Sequence, residues 1–108
     1  MKILFAWKFK INPLNGGVER VTSIIMNGLR SRGHFCNNII CENDNQDFYL
    51  NNEVSNHNHL SYEEFKIYLK EQKYDVIVCQ DGTSINLTKD IRNASPNNLK
   101  IVTSLHTS

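Results

Sequence analysis

The chain has 108 residues, 40% of them hydrophobic and 21% charged, with a formal net charge of +1. That length suits one domain spanning residues 1–108. The near-zero charge gives no basic field for nucleic acid, and no apolar run approaches the roughly 20 residues of a membrane span.

The opening Lys2-Ile3-Leu4-Phe5-Ala6-Trp7 reads as a buried strand. Its apolar run is too short for a signal-peptide core and no small-residue cleavage site follows, so a cytosolic location is expected. Residues from Lys8 to Asn15 are a loop containing Pro13. Val18 to Arg32 reads as a helix, because Val18, Val21, Ile25, Gly28 and Leu29 recur at helical spacing and Ile24 widens the stripe. Glu19 in its first turn and Arg30 and Arg32 in its last suit the helix dipole. Gly33 is placed to end it. Phe35 to Cys41 is a second strand. Glu42 to Asn58 is polar and Asn-rich and reads as loop, with a short third strand near His57 to Leu60. Ser61-Tyr62-Glu63-Glu64 has capping-box spacing and starts a helix whose stripe is Phe65, Tyr68 and Leu69, ending near Gln72. Asp75 to Cys79 is a buried strand and Gln80-Asp81-Gly82-Thr83 a turn. Ser84 to Asn93 is a weaker helix, Ala94 to Asn98 a loop, and Lys100 to Leu105 a last strand, followed by His106-Thr107-Ser108.

Strands alternating with helices imply a parallel sheet covered on both faces. Right-handed crossovers then give an α/β, Rossmann-like doubly wound sheet, most simply ordered 3-2-1-4-5. The cysteines Cys36, Cys41 and Cys79 are odd in number and lack C-x-x-C spacing. They read as small buried hydrophobes in a reducing compartment.

Ligands of such a sheet bind outside the carboxyl ends of its strands, where the strand order reverses. Three loops reach that crevice. In the first, Gly16 and Gly17 open a helix, and the absence of Cβ atoms lets a phosphate approach the free N–H groups of the first turn. A tight turn needing positive φ is the structural alternative. Arg20 either faces an anionic group there or is solvated, and Lys8 and Lys10 line the same mouth. In the second loop, Asp81 with Gly82 either holds the place equivalent to that of His106, one strand over, or is a plain Asp-Gly turn. In the third, His106 either bonds a sugar hydroxyl, helps proton transfer, or is structural. No G-x-G-x-x-G and no Walker A sequence is present. His57-Asn58-His59 lacks a third ligand, so no metal is expected.

The Met-Lys-Ile-Leu-Phe strand, the turn Gly16-Gly17-Val18-Glu19-Arg20-Val21, the helix end Leu29-Arg30-Ser31-Arg32-Gly33-His34 and the strand Ile101 to His106 resemble the start of a family 4 glycosyltransferase. The resemblance covers nearly the whole chain. It implies the N-terminal, acceptor-side portion of a retaining GT-B enzyme, a glycosyltransferase of hexosyl type that moves a sugar from a nucleotide-sugar to a glycan or glycoconjugate. The family assigns its glycine loop to the donor diphosphate, which carries to Gly16 and Gly17, with Arg20 beside them. It sets His106 near the reacting sugar or acceptor, and with it the neighbouring loop residues Asp81, Gly82 and Thr107 are expected to be acceptor-binding. No cofactor is implied, since the nucleotide-sugar is a substrate.

The family's donor domain is not in this sequence, so the chain is expected to be inactive alone, peripheral to membrane only through a parent enzyme, and prone to self-associate. Two other readings stand beside this one. The first is a sugar-nucleotide epimerase of the same architecture. The second is a non-catalytic, flavodoxin-like module binding an anion or a protein.

Overall fold

The computed structural model describes residues 1–8, 17–42, 46–50, 57–80 and 86–104. They form β1 (Lys2–Trp7), α1 (Gly17–Ser31), β2 (Phe35–Glu42), β3 (Asp47–Leu50), β4 (His59–Ser61), α2 (Tyr62–Gln72), β5 (Val76–Gln80), α3 (Asn86–Ala94) and β6 (Lys100–Ser104). All six strands join one sheet in the order β4-β3-β2-β1-β5-β6. β2, β1, β5 and β6 run parallel, while β3 and β4 are added antiparallel. The fold is α/β with a mostly parallel sheet, compatible with a Rossmann-like arrangement.

Three features depart from the sequence reading. The stretch 47–50, read as loop, is a strand. Its Phe48 is buried opposite Cys41 of β2, and an antiparallel return of this kind needs no crossover helix. The short third strand lies at 59–61, one place further out than expected, because it pairs with β3 and not with β2. Gln80, read as the first turn residue, is the last residue of β5.

Side chains alternate across each parallel strand, so the sheet has two apolar faces. On one, Leu4, Ala6, Ile39, Ile77 and Cys79 pack with Phe65 and Leu69 of α2 and Leu87, Ile91 and Ala94 of α3. On the other, Ile3, Phe5 and Cys36 pack under Met26 and Leu29 of α1. Helices on opposite faces, to either side of β1, are what double winding produces.

The helix ends follow from local chemistry. Gly33 takes φ +89°, which only glycine adopts without strain. His34 N–H donates to Leu29 O and Gly33 N–H to Arg30 O, both at 3.0 Å, the bond pair of a Schellman motif. Ser61 caps α2 reciprocally: Glu64 N–H donates to Ser61 Oγ at 3.2 Å, and Ser61 N–H donates to a Glu64 carboxylate oxygen at 3.1 Å. At the other end of α2, Lys2 Nζ donates to the carbonyl of Gln72 at 2.8 Å. This cation sits where the helix dipole is negative. The N–H groups of residues 2 and 75 anchor the amino ends of β1 and β5 to each other, with Lys2 N donating to an Asp75 carboxylate oxygen at 2.7 Å and Asp75 N to Lys2 O at 2.8 Å.

Candidate functional site

The winding direction changes between β1 and β5. The chain passes from β1 through α1 to β2 on one side, then returns through α2 to β5 on the other side of β1. The switch point is therefore the space beyond the carboxyl ends of β1 and β5. Trp7 ends β1 and is half-buried, and Gln80 ends β5 and is buried.

α1 begins at Gly17, so the second of the two glycines is the first helical residue. Its N-terminal N–H groups open at the same end of the sheet, and they carry the positive end of the helix dipole. A side-chain bond between described residues braces this geometry. Gln80 Nε2 donates to Thr22 Oγ1 at 3.0 Å, with both residues buried. It ties the second turn of α1 to the last residue of β5 across the switch point. Arg20 lies one turn into α1 and is exposed. At 100° per residue it sits opposite the inward Thr22, Met26 and Leu29. Gly16, Asp81, Gly82, His106 and Thr107 lie outside the described residues, as does Lys10. Of the expected site, the structure thus describes the helix start at Gly17 and the position of Arg20.

Thr22 and Gln80 were not singled out by sequence reasoning. The available signal was polarity in an apolar register. Thr22 falls on the inward stripe of α1, and Gln80 follows Val76 and Val78 on the same face of β5. A buried polar group in such a place needs a partner.

Other chemistry-bearing groups gather elsewhere. His59 Nε2 lies 2.6 Å from Asp47 Oδ1, a diagonal pair across β3 and β4, with the Tyr49 ring beside it at 5.2 Å. Ser61, next along β4, uses its Oγ in the α2 cap. His57 is exposed, and among the described residues no three His, Cys, Asp or Glu side chains converge as a metal site. All three thiols are buried. Burial pushes the Cys41 thiol far up, with Cys79 adding to it. Burial also raises Cys36, against an opposing pull from Arg30. None is a ready nucleophile. A groove of about 450 Å³ runs between α2 and the end of α3, lined by Glu63, Lys66, Ile67, Lys70, Asn93 and Pro96. It lies toward the amino end of β6, away from the switch point. No described helix is long and apolar enough to cross a membrane.

Comparison with family models, with curated proteins and with solved structures finds no match for this chain.

Proposed function

We propose that this chain is the acceptor-side domain of a nucleotide-sugar glycosyltransferase of the GT-B type. In this reading its glycine turn approaches the donor diphosphate. The observation that carries it is the start of α1 at Gly17 beside the carboxyl end of β5, held there by the Gln80–Thr22 bond. A helix N-terminus with no side chain on its first residue accepts phosphate oxygens on backbone N–H groups. Arg20 then adds long-range positive potential, and His106, Asp81, Gly82 and Thr107 act on the sugar and acceptor side. The chain's own contribution is to hold one wall of the donor site. Turnover requires the opposite wall as well, so a sugar-transfer assay of the isolated chain should show none.

A flavodoxin-like anion-binding module is the second reading. It is favoured by the order β2-β1-β5-β6 of the parallel strands, which matches the 2-1-3-4 run of that class.

Amide chemical shifts separate the two. The chain is titrated with inorganic pyrophosphate, then with uridine and guanosine diphosphates, and then with their hexose conjugates. The transferase reading expects shifts at the amides of Gly17, Val18 and Glu19, stronger with a nucleotide-sugar than with pyrophosphate. Equal response to every diphosphate favours the anion module. Absence of shifts in the first turn of α1 with all probes sinks both.

A further inference from the structure

α1 is the longest described helix and the least anchored. Five of its 15 residues, Val18, Val21, Thr22, Ile24 and Ile25, are β-branched and lose χ1 freedom against the preceding turn. Gly28 follows in the helix interior, where glycine is the costliest residue after proline. A helix of this composition depends on packing, and α1 packs little. Met26 is the one apolar side chain described in α1 that is buried, while Val21, Ile24 and Ile25 are exposed. α2 has a reciprocal cap and buries Phe65 and Leu69, and α3 buries Leu87, Ile91 and Ala94. Those two helices also touch each other, whereas α1 is the one described helix on its face of the sheet.

The sheet separates what α1 covers from what holds the rest together. Among the described residues, the buried cluster on the α2 and α3 side has 13 members, and the one under α1 has four: Ile3, Phe5, Met26 and Cys36. The strands pair with one another in the order β4-β3-β2-β1-β5-β6, so lifting α1 breaks no ladder bond. The described polar tethers it breaks are the Gln80–Thr22 bond at 3.0 Å and the Arg30 guanidinium, which donates to the Cys36 carbonyl through Nη2 at 2.7 Å and Nε at 3.2 Å. Water replaces the lost partners once the helix lifts, so the net contribution of each tether is small. The buried thiols divide along the same line. Cys36 shares its cluster with Met26, while Cys41 and Cys79 belong to the cluster on the far face.

We infer that α1 is a lid: it opens and recloses as one unit, in a minority of molecules at any time, while the sheet, α2 and α3 stay folded. A helix with few buried apolar contacts opens at a lower free energy than core strands do. The lid carries the start of the candidate site, because the N–H groups of its first turn share one direction only while α1 is helical. An anion held there binds the closed form alone and keeps the lid shut by mass action. That coupling to an anion rests on the diphosphate reading proposed above, whereas the opening does not.

Native-state hydrogen exchange, read amide by amide, tests the opening, with iodoacetamide labelling of the thiols as a second readout. The amides of α1 are expected to share one opening equilibrium and to exchange about tenfold or more faster than the slowest amides of β1 and β5. Ile91→Val trims a buried side chain on the far face. It should speed exchange in β1 and β5 about two- to twelvefold and leave α1 unchanged, since α3 stays packed when the lid opens. Cys36 is expected to be labelled at the rate set by the lid, ahead of Cys41 and Cys79. A Cβ added at Gly28 meets nothing within 4 Å, so Gly28→Ala stabilises the helix without a clash and should slow Cys36 labelling about fivefold. Inorganic pyrophosphate should slow α1 exchange further. A lid that opens with no response to pyrophosphate upholds the opening and removes the diphosphate reading. Three results overturn the lid: α1 amides as slow as those of β1 and β5, an Ile91→Val effect equal in α1 and in the core strands, or Cys36 labelling that Gly28→Ala does not change.

Discussion

The Gln80–Thr22 bond joins two residues far apart in the chain and buried in apolar surroundings. A hydrogen bond of this kind adds only about 1 kcal/mol net, yet leaving one partner buried and unsatisfied costs about 1–3 kcal/mol. Thr22→Val keeps the shape and removes the acceptor, and Gln80→Leu removes the donor. Each is expected to destabilise the chain by about 1–3 kcal/mol. The double variant should cost less than the sum by roughly 0.5–3 kcal/mol, since the two changes remove the same bond. Urea denaturation of the four chains measures this, and strict additivity would show that the two side chains do not act as a pair. The same contact shows the limit of reading single residues. Gly33 was legible because one local requirement, positive φ after a helix, names its residue type. Thr22 and Gln80 meet only through the tertiary fold. Neither polar side chain indicated from the sequence which partner it would find.

At the scale of elements, α2 carries a titratable device at its start. The backbone N–H of Ser61, and then its side chain, hold the Glu64 carboxyl below its ordinary value of 4.5. A carboxylate favoured by the fold stabilises the folded chain fully above its ordinary pKa. That contribution is lost as the pH falls below 4.5 and through the lowered value. Glu64→Gln retains an oxygen for the Ser61 N–H but does not titrate. The melting temperature of the native chain is therefore expected to exceed that of Glu64→Gln near neutral pH, with the gap closing as the medium is acidified below 4.5. A gap that stays constant from pH 7 to pH 3 would remove Glu64 ionisation from the account. This element was legible because Ser61-x-x-Glu64 is a local pattern and the Phe65–Leu69 stripe follows it. The strands 47–50 and 59–61 were less so. Four and three residues are too short for a period of two to stand out, and β4 has no fully buried side chain. What fixes them is pairing: Phe48 lies opposite both Cys41 and Leu60.

For the whole molecule, the antiparallel extension is either an appendage on the parallel sheet or part of its core. Packing favours the core. Phe48 of β3 stacks on Phe65 of α2, with ring centroids 4.1 Å apart and planes within 14°, and both are buried in the layer that includes Leu4, Ile39 and Ile77. Deleting one ring removes a contact between the hairpin and α2 and opens a void beside the central strands. Phe48→Ala is expected to cost about 3–5 kcal/mol, a large share of the roughly 5–15 kcal/mol that holds such a domain together. The position of that loss is the informative part. The chain's single tryptophan, Trp7, ends β1, two strands away from β3 in the sheet. Its fluorescence reports on the parallel core, and far-ultraviolet circular dichroism reports on all helices and strands. If the hairpin is integral, urea melts of Phe48→Ala at dilute concentration show one transition by both probes, shifted to the same lower midpoint with the slope unchanged. If it is an appendage, the dichroism splits into two steps and the Trp7 transition stays where the native chain has it. A shared shift would mean that the parallel strands forming the switch point are stabilised in part by a hairpin on the far side of β2, so that changes there reach the candidate site through cooperativity alone.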